Sequence, residues 1–228
     1  MKPAAPDLAG QLAGLPLFGG LPVASLALLA SATQERHYAR GEEVFQKGER
    51  PSGLCVVLSG KLKEACRGPG GEEKILEVLG SGETCGEAAL FLGTPHPFPV
   101  TALSNSVLLH VEKTAIDALI NSRPLFVNLL LQVLASKQHR ALRDIEAYAL
   151  SSPLQRVVGY LIDQCHEGGE GTPSLLLPAP KQVIASRLGM TPAALSRTFR
   201  DLSEAGLISL RGKRVVLCDP ARLKGFAR

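Results

Sequence analysis

The 228-residue sequence has no C-x-x-C pair, no H-x-H pair and no cluster of cysteines with histidines. Its five cysteines (Cys55, Cys66, Cys85, Cys165 and Cys218) are scattered and odd in number. Neither a zinc ribbon nor a disulfide framework is indicated, and the usage fits a reducing cytoplasm. An unbroken apolar run is also lacking. The nearest, Leu15 to Ala32, is interrupted by Pro16, Gly19, Gly20 and Pro22, too often for a membrane span. Ala30-Ser31-Ala32 mimics a signal-peptide cleavage site, but only Lys2 supplies positive charge and Asp7 lies close by. A short packing helix starting near Pro22 is therefore expected, and no membrane partner. No segment repeats internally.

What is present is a chain long enough for two domains, with 45% hydrophobic and 20% charged residues, as in a globular protein. The net charge of +4 is mild, but its distribution is uneven. Residues 1–152 carry 14 Lys/Arg against 15 Asp/Glu, whereas residues 153–228 carry 11 against 6. The positive excess thus lies in the last third, as expected of a small nucleic-acid-binding module on a near-neutral body.

Residues 34–112 are punctuated by glycine every few positions, with Leu54-Cys-Val-Val-Leu58, Lys74-Ile-Leu-Glu-Val-Leu79 and Val107-Leu-Leu-His-Val111 between. Short strands with Gly-rich turns predict a double-stranded β-roll of jelly-roll type, a fold able to hold a small ligand. Phe126 to Leu150 then runs without Gly or Pro. Val127, Leu134, Ala141 and Tyr148 recur every seven residues, with Leu130 and Ile145 between them, predicting a long helix that dimerises along this seam. The expected organisation is α+β: an effector-sensing roll over 1–124, a dimerisation helix over 125–150, and a winged helix-turn-helix over 151–228. Within the last segment Leu154 to His166 reads as helix and Glu167 to Pro180 as a loop.

The most specific pattern begins at Lys181. Val183, Ile184 and Leu188 give one helix an apolar face, Ala185 allows a close crossing, and Gly189 can end the helix. Thr191 caps the next helix with Pro192 at its first position. Such punctuation marks a helix-turn-helix. Leu195, Phe199 and Leu202 face inward and leave Pro192, Ala193, Ser196, Arg197 and Arg200 outward, where Arg suits guanine O6/N7 or phosphate. Ile208 to Leu217 reads as a hairpin wing around Gly212, with Arg211, Lys213 and Arg214 at its tip for phosphate. The assigned DNA-binding set is Lys181, Gln182, Thr191, Ser196, Arg197, Arg200, Arg211, Lys213 and Arg214.

In motif order and segment length the chain resembles the Crp/Fnr family of bacterial transcription regulators from about residue 15 to its end. Phe45-Gln-Lys-Gly-Glu49, Val56-Val-Leu-Ser-Gly60 and Gly86-Glu-Ala-Ala-Leu-Phe91 match that family's barrel motifs. The resemblance implies a homodimer that binds palindromic double-stranded promoter DNA, communicates with RNA polymerase and answers to a small effector. It implies an effector pocket at Gly86, Glu87, His96, Phe98, Ala141 and Leu142.

Departures bear on the effector. Cyclic-AMP-binding members of the family carry an Arg that takes the phosphate; here His96 and Pro97 stand in its place, and neither replaces a bidentate clamp. Ala141 and Leu142, expected near an adenine, are apolar. Cyclic AMP is therefore not the expected effector. No cysteine precedes Cys55, against the iron–sulfur cluster of the Fnr branch. The haem-based carbon monoxide sensors carry a ligating His before the cassette helix, where Cys85 is the nearest candidate here. Thr94-Pro-His-Pro-Phe-Pro-Val100 is nearer in pattern to the Dnr-type and HcpR-type branches. Those are linked to nitric oxide and nitrosative stress, with haem as proposed sensor. Haem is accordingly a candidate cofactor, with His37, His96 and His139 as the histidines to examine; its ligands and the effector stay unassigned. In the recognition helix Ala193 stands where many members have a Glu that reads cytosine.

Two other classes stay open at this level. A cupin-type metal enzyme would need closely spaced His/Glu ligands, but His96 and His110 lie fourteen residues apart and nearby acids form no facial triad. No catalytic residue is assigned, and the chain is not expected to be an enzyme. The other class is a ligand-binding module that acts through protein contacts without DNA.

Overall fold

Strand burial explains the runs of four apolar residues that punctuate the first half of the chain. The computed structural model describes residues 7–165 and 173–226. Lys2, His166 and the start of the expected loop, 167–172, lie outside them. The described chain divides into two units, one of residues up to 66 with 76–138, the other of residues 67–75 with 139 onward.

The first unit opens with α1 (Leu8–Ala13) and α2 (Val23–Ser31), the latter starting after Pro22 as expected. There follow β1 (Thr33–Tyr38), β2 (Glu43–Phe45), β3 (Gly53–Ser59), β4 (Leu62–Arg67), β5 (Glu73–Leu79) and β6 (Thr84–Cys85). Then come α3 (Glu87–Leu92), β7 (Val100–Ala102), β8 (Ser106–Glu112), α4 (Lys113–Ser122) and α5 (Pro124–Leu150). Two four-stranded sheets, ordered β1-β8-β3-β6 and β2-β7-β4-β5, form the double-stranded roll. Successive side chains of a strand point to opposite faces. Cys55 and Val57 of β3 accordingly enter the inter-sheet core with Phe45, Leu62, Leu79 and Leu108. Leu54 and Val56 enter a second core beneath the helices, with Phe18, Leu109, Val111, Ile116 and Phe126. Both faces of β3 are buried, so its sequence reads as a continuous apolar run instead of an alternation.

Helix α5 carries two apolar stripes. Phe126 and Leu130 are buried in the helical core, Phe126 stacked on Phe18 at 6.0 Å between ring centroids, and Leu129, Val133 and Leu134 pack beside them. Leu131, Ala135, Gln138, Leu142, Ile145 and Ala149, spaced alternately by four and three residues, are exposed. This corrects the expected seam. Leu130 is committed to its own chain's core, Val127 and Leu134 are half-buried, and Tyr148 accepts a hydrogen bond from Lys74, whose ammonium also lies 3.7 Å from the centre of its ring. Of the original set, Ala141, Ile145 and Tyr148 are exposed.

The second unit contains α6 (Pro153–Gln164), β9 (Ser174–Leu176), α7 (Lys181–Arg187), α8 (Pro192–Glu204), β10 (Ile208–Arg211), β11 (Arg214–Leu217) and α9 (Pro220–Phe226). Ser152 caps α6 in a reciprocal capping box with Gln155, and Pro153 occupies the first turn. Part of the expected loop is a strand: β9 pairs with β11 and completes a three-stranded sheet ordered β10-β11-β9. The short segment 73–75 docks on α7, Ile75 N–H donating to Ser186 Oγ at 3.1 Å and Ser186 Oγ to Glu73 C=O at 2.6 Å. Arg156 Nε donates to Leu188 C=O at 2.8 Å, which ties α6 to the end of α7.

Gly86, at the turn into α3, is a constrained backbone position of the roll. Its φ is +84°, and a Cβ there would sit 2.9 Å from His96 Cε1 and 3.2 Å from a ring carbon of Phe45. Gly86→Ala combines left-handed strain with a clash, and should lower unfolding stability by roughly 1–3 kcal/mol. Chemical denaturation of the variant beside the parent measures it.

Candidate DNA-binding and effector sites

The DNA-facing element is assembled by local rules. Helix α7 ends at Leu188, Gly189 turns the chain with φ +66°, and Thr191 Oγ1 accepts from Ala194 N–H at 3.1 Å to cap α8. Leu195, Phe199 and Leu202 are buried. This leaves Pro192, Ala193, Arg197 and Arg200 exposed, with Ser196 half-buried. Lys181 and Gln182 are exposed at the start of α7, and the Lys181 ammonium lies 5.5 Å from the centre of the Phe199 ring. Arg211, Lys213 and Arg214 are exposed where β10 meets β11, paired Arg211 to Arg214. Every residue assigned to DNA contact therefore lies on α7, α8 or the wing, although the Thr191 hydroxyl is spent on the cap. Arg side chains near the start of a recognition helix are placed for base edges, and cations on a wing for phosphate.

The roll's candidate site centres on Glu87, the first residue of α3. Its side chain is only 5% exposed, and its Oε1 lies 2.6 Å from Lys137 Nζ. Lys137 also donates to Thr84 C=O at 2.8 Å and approaches Glu77 Oε2 at 3.4 Å. The Thr84 hydroxyl donates to Glu87 Oε1 at 3.3 Å. Glu87 Oε2 is buried and has no hydrogen-bond partner. Burial works against the Lys137 charge, but Glu87 and Glu77 outweigh it and raise its pKa. Glu64 on β4 joins this group. Burial first, then the charges of Glu77 and Glu87, push it up to about 7 against the opposing pull of Lys137. Cys85 stays a thiol, raised by its hydrogen bond with Cys55 and by burial.

Of the expected pocket residues, Gly86, Glu87 and His96 come together, and Phe98 is half-buried nearby in sequence. Ala141 and Leu142 are exposed on α5. His96 is buried and stacks on Phe45 at 4.2 Å. Its ring Nε2 has no partner, and burial lowers its pKa although Glu49 opposes this. A neutral imidazole wedged between Phe45 and Gly86 supplies no positive charge for a phosphate. Sequence reasoning missed Lys137, Glu64 and Glu77. The available signal was that Lys137 follows Phe126, Leu130 and Leu134 on the inward stripe of α5.

The haem candidates sit in three different settings. His37 is exposed and paired with Glu35 at 2.9 Å, His139 is exposed on α5, and the His96 ring is packed against Phe45 on one side and Gly86 on the other. Protonated Cys85 is no thiolate ligand. Among the described residues no group of three or more His, Cys, Asp or Glu side chains could hold a metal ion. These residues do not fit a haem.

In the unfolded chain Glu64 ionises at its ordinary value of 4.5, so between 4.5 and about 7 the folded state binds the proton that the unfolded state has lost. Stability from this carboxyl is present below pH 4.5 and falls as pH rises through about 7. Glu64→Gln should flatten that fall and be more stable than the parent above neutrality by roughly 1–3 kcal/mol, read from denaturation across pH.

Two family models match the chain. One, described as cyclic nucleotide-binding domain, covers residues 35–123, and the other, Crp-like helix-turn-helix domain, residues 155–226. The CRP-like cAMP-activated global transcriptional regulator of Mycobacterium tuberculosis is 27% identical over 220 residues, 95% of this chain and 98% of that protein. The Cyclic AMP receptor protein of Thermus thermophilus is 28% identical over 214 residues, 94% and 97% of the two chains. The solved structure of FixK2 from Bradyrhizobium japonicum matches with a TM-score of 0.75 at 18% identity, covering 86% of this chain and 98% of that one, a likeness of fold. The chain thus carries a cyclic nucleotide-binding-type roll, a long helix and a Crp-like helix-turn-helix in the order of the transcription regulators to which it is similar.

Proposed function

We propose that the protein is a homodimeric, sequence-specific promoter-binding regulator acting in the cytoplasm with RNA polymerase, and that its roll answers to a small effector other than cyclic AMP. The observation that carries DNA readout is the exposure of Arg197 and Arg200 on α8 opposite the buried Leu195, Phe199 and Leu202. Arg197 is the base reader in this account, and Lys213 a phosphate anchor. Dimerisation is supported by the exposed stripe of α5, where Leu131, Leu142 and Ile145 are 57%, 57% and 63% exposed in the single chain. Alternating spacings of three and four from Leu131 to Ala149 suit a two-stranded coiled coil.

The relatives named for cyclic AMP make that nucleotide the obvious alternative. Against it stands the cassette of this chain, where a neutral His96 and Pro97 replace the phosphate-clamping Arg. Haem and nitric oxide sensing are not carried forward, because the histidines do not fit that group. An effector acts here only if it prefers one arrangement of the two recognition helices, which it can then populate.

Arg197→Ala should cost roughly 1–3 kcal/mol per half-site on a specific duplex and flatten the preference at one base pair. Lys213→Ala should weaken specific and random duplexes alike and reduce the salt slope by about one. Anisotropy titrations over a salt series separate the two; equal losses on specific and random DNA for Arg197→Ala would make it a phosphate anchor. For the dimer, Leu142→Glu should raise the dissociation constant by at least about tenfold while leaving the fold intact, as read by sedimentation. An unchanged dimer would remove α5 from the interface.

A further inference from the structure

We propose that the roll carries a ligand site separate from the Glu87–Lys137 cassette: a cavity that takes a small oxyanion, of the phosphate or carboxylate class, on Arg36, Ser52 and the start of α4. The cavity has a volume of about 300 Å³ and lies where β1, β8, the turn into β3 and the first residues of α4 meet.

Strand register brings its polar groups together. Gln34 stands opposite His110 and Arg36 opposite Leu108 across β1 and β8, and His110 stands opposite Cys55 of β3. Gln34, Arg36 and His110 therefore share the face that is apolar farther along, where Cys55, Val57 and Leu108 enter the inter-sheet core.

Three observations give the cavity its sign. First, Arg36 is half-buried, and its guanidinium meets only neutral groups, Gln34 Oε1 at 3.2 Å and the Tyr38 hydroxyl. Among the described residues no carboxylate pairs with it. Second, His110 is 4% exposed, its Nε2 lies 3.0 Å from Ser52 Oγ, and its Nδ1 has no partner. Gly53 holds the ring in place, since a Cβ there would sit 2.8 Å from His110 Cε1. With Nε2–H donating to Ser52 Oγ, the serine keeps its own proton for a ligand oxygen. Third, Glu112, at the N-cap of α4, makes no side-chain cap bond, and Lys113 N–H donates to Ser52 C=O at 3.2 Å. The first turn of this ten-residue helix thus faces the cavity at Thr114 with its partial positive charge.

One group opposes an anion. Glu112 also lines the cavity, and the Lys113 ammonium beside it is shared with Asp117 at 2.6 Å. Glu112 is exposed, so water and salt screen its charge more than that of the half-buried guanidinium. The balance at the cavity wall stays positive. A guanidinium meets two oxygens of one oxyanion, and the serine hydroxyl and helix N–H groups are left for the others.

The site is tested by titrating the full chain with inorganic phosphate and with acetate at constant ionic strength, following the imidazole NMR signal of His110, assigned with His110→Gln. At least one anion should move the signal saturably, and which one does so separates a phosphate ligand from a carboxylate. Arg36→Gln should weaken binding at least about tenfold, and Glu112→Gln should tighten it. No saturable shift with either anion, equal binding in Arg36→Gln and parent, or weaker binding in Glu112→Gln overturns the proposal. Should Arg36→Gln fail to fold, Ser52→Ala at its exposed position decides instead, with weakening expected and no change contradictory.

Discussion

A carboxylate buried at the start of a helix must find a positive charge, and in this protein the Glu87–Lys137 pair meets that need. Glu87 is brought inward by Gly86, whose left-handed backbone turns β6 into α3 with no side chain to collide with His96 or Phe45. Lys137 is brought in from the other direction, at the end of a stripe that begins with Phe126 and Leu130 in the helical core. Each position is costly alone. Removing either partner would leave an unpaired charge out of water, an outcome far less favourable than the intact pair. The pair therefore fixes the cassette against the first half of α5.

The tip of the cassette distinguishes this chain from the relatives it resembles in fold. A roll adapted to a cyclic phosphate needs a cation at the tip of the cassette. Here the tip residue is an imidazole kept neutral by burial, and the buried Glu87 beside it is paired with Lys137. Fold likeness carries over the architecture and the helix-turn-helix, but the ligand is decided by side chains in the site.

The parts legible in the sequence were those written in local chemistry. Thr191, Pro192 and Gly189 announce the helix-turn-helix because caps and turns act over three or four residues. The runs around Leu54 and Leu108 announce strands because both of their faces are buried. The seam of α5 was misjudged for a physical reason. The helix has one apolar stripe for its own core and another left exposed, and periodicity alone does not say which is which. Leu130 and Leu134 fell in the first, Leu131 and Leu142 in the second. Strand β9 was read as loop because three residues beside prolines carry no alternation, and pairing with β11 creates it. The Glu87–Lys137 pair joins residues fifty positions apart in the chain, and nothing local links them.

Two copies of this chain are proposed to read DNA with α8 under the control of an effector other than cyclic AMP. Selection of bound duplexes from a random pool, with and without cyclic AMP, tests it most directly. The account expects an inverted repeat whose half-sites are centred about one helical turn apart, roughly 10–10.5 base pairs, enriched equally with and without the nucleotide. Failure to enrich any inverted repeat, or enrichment only when cyclic AMP is present, would contradict it.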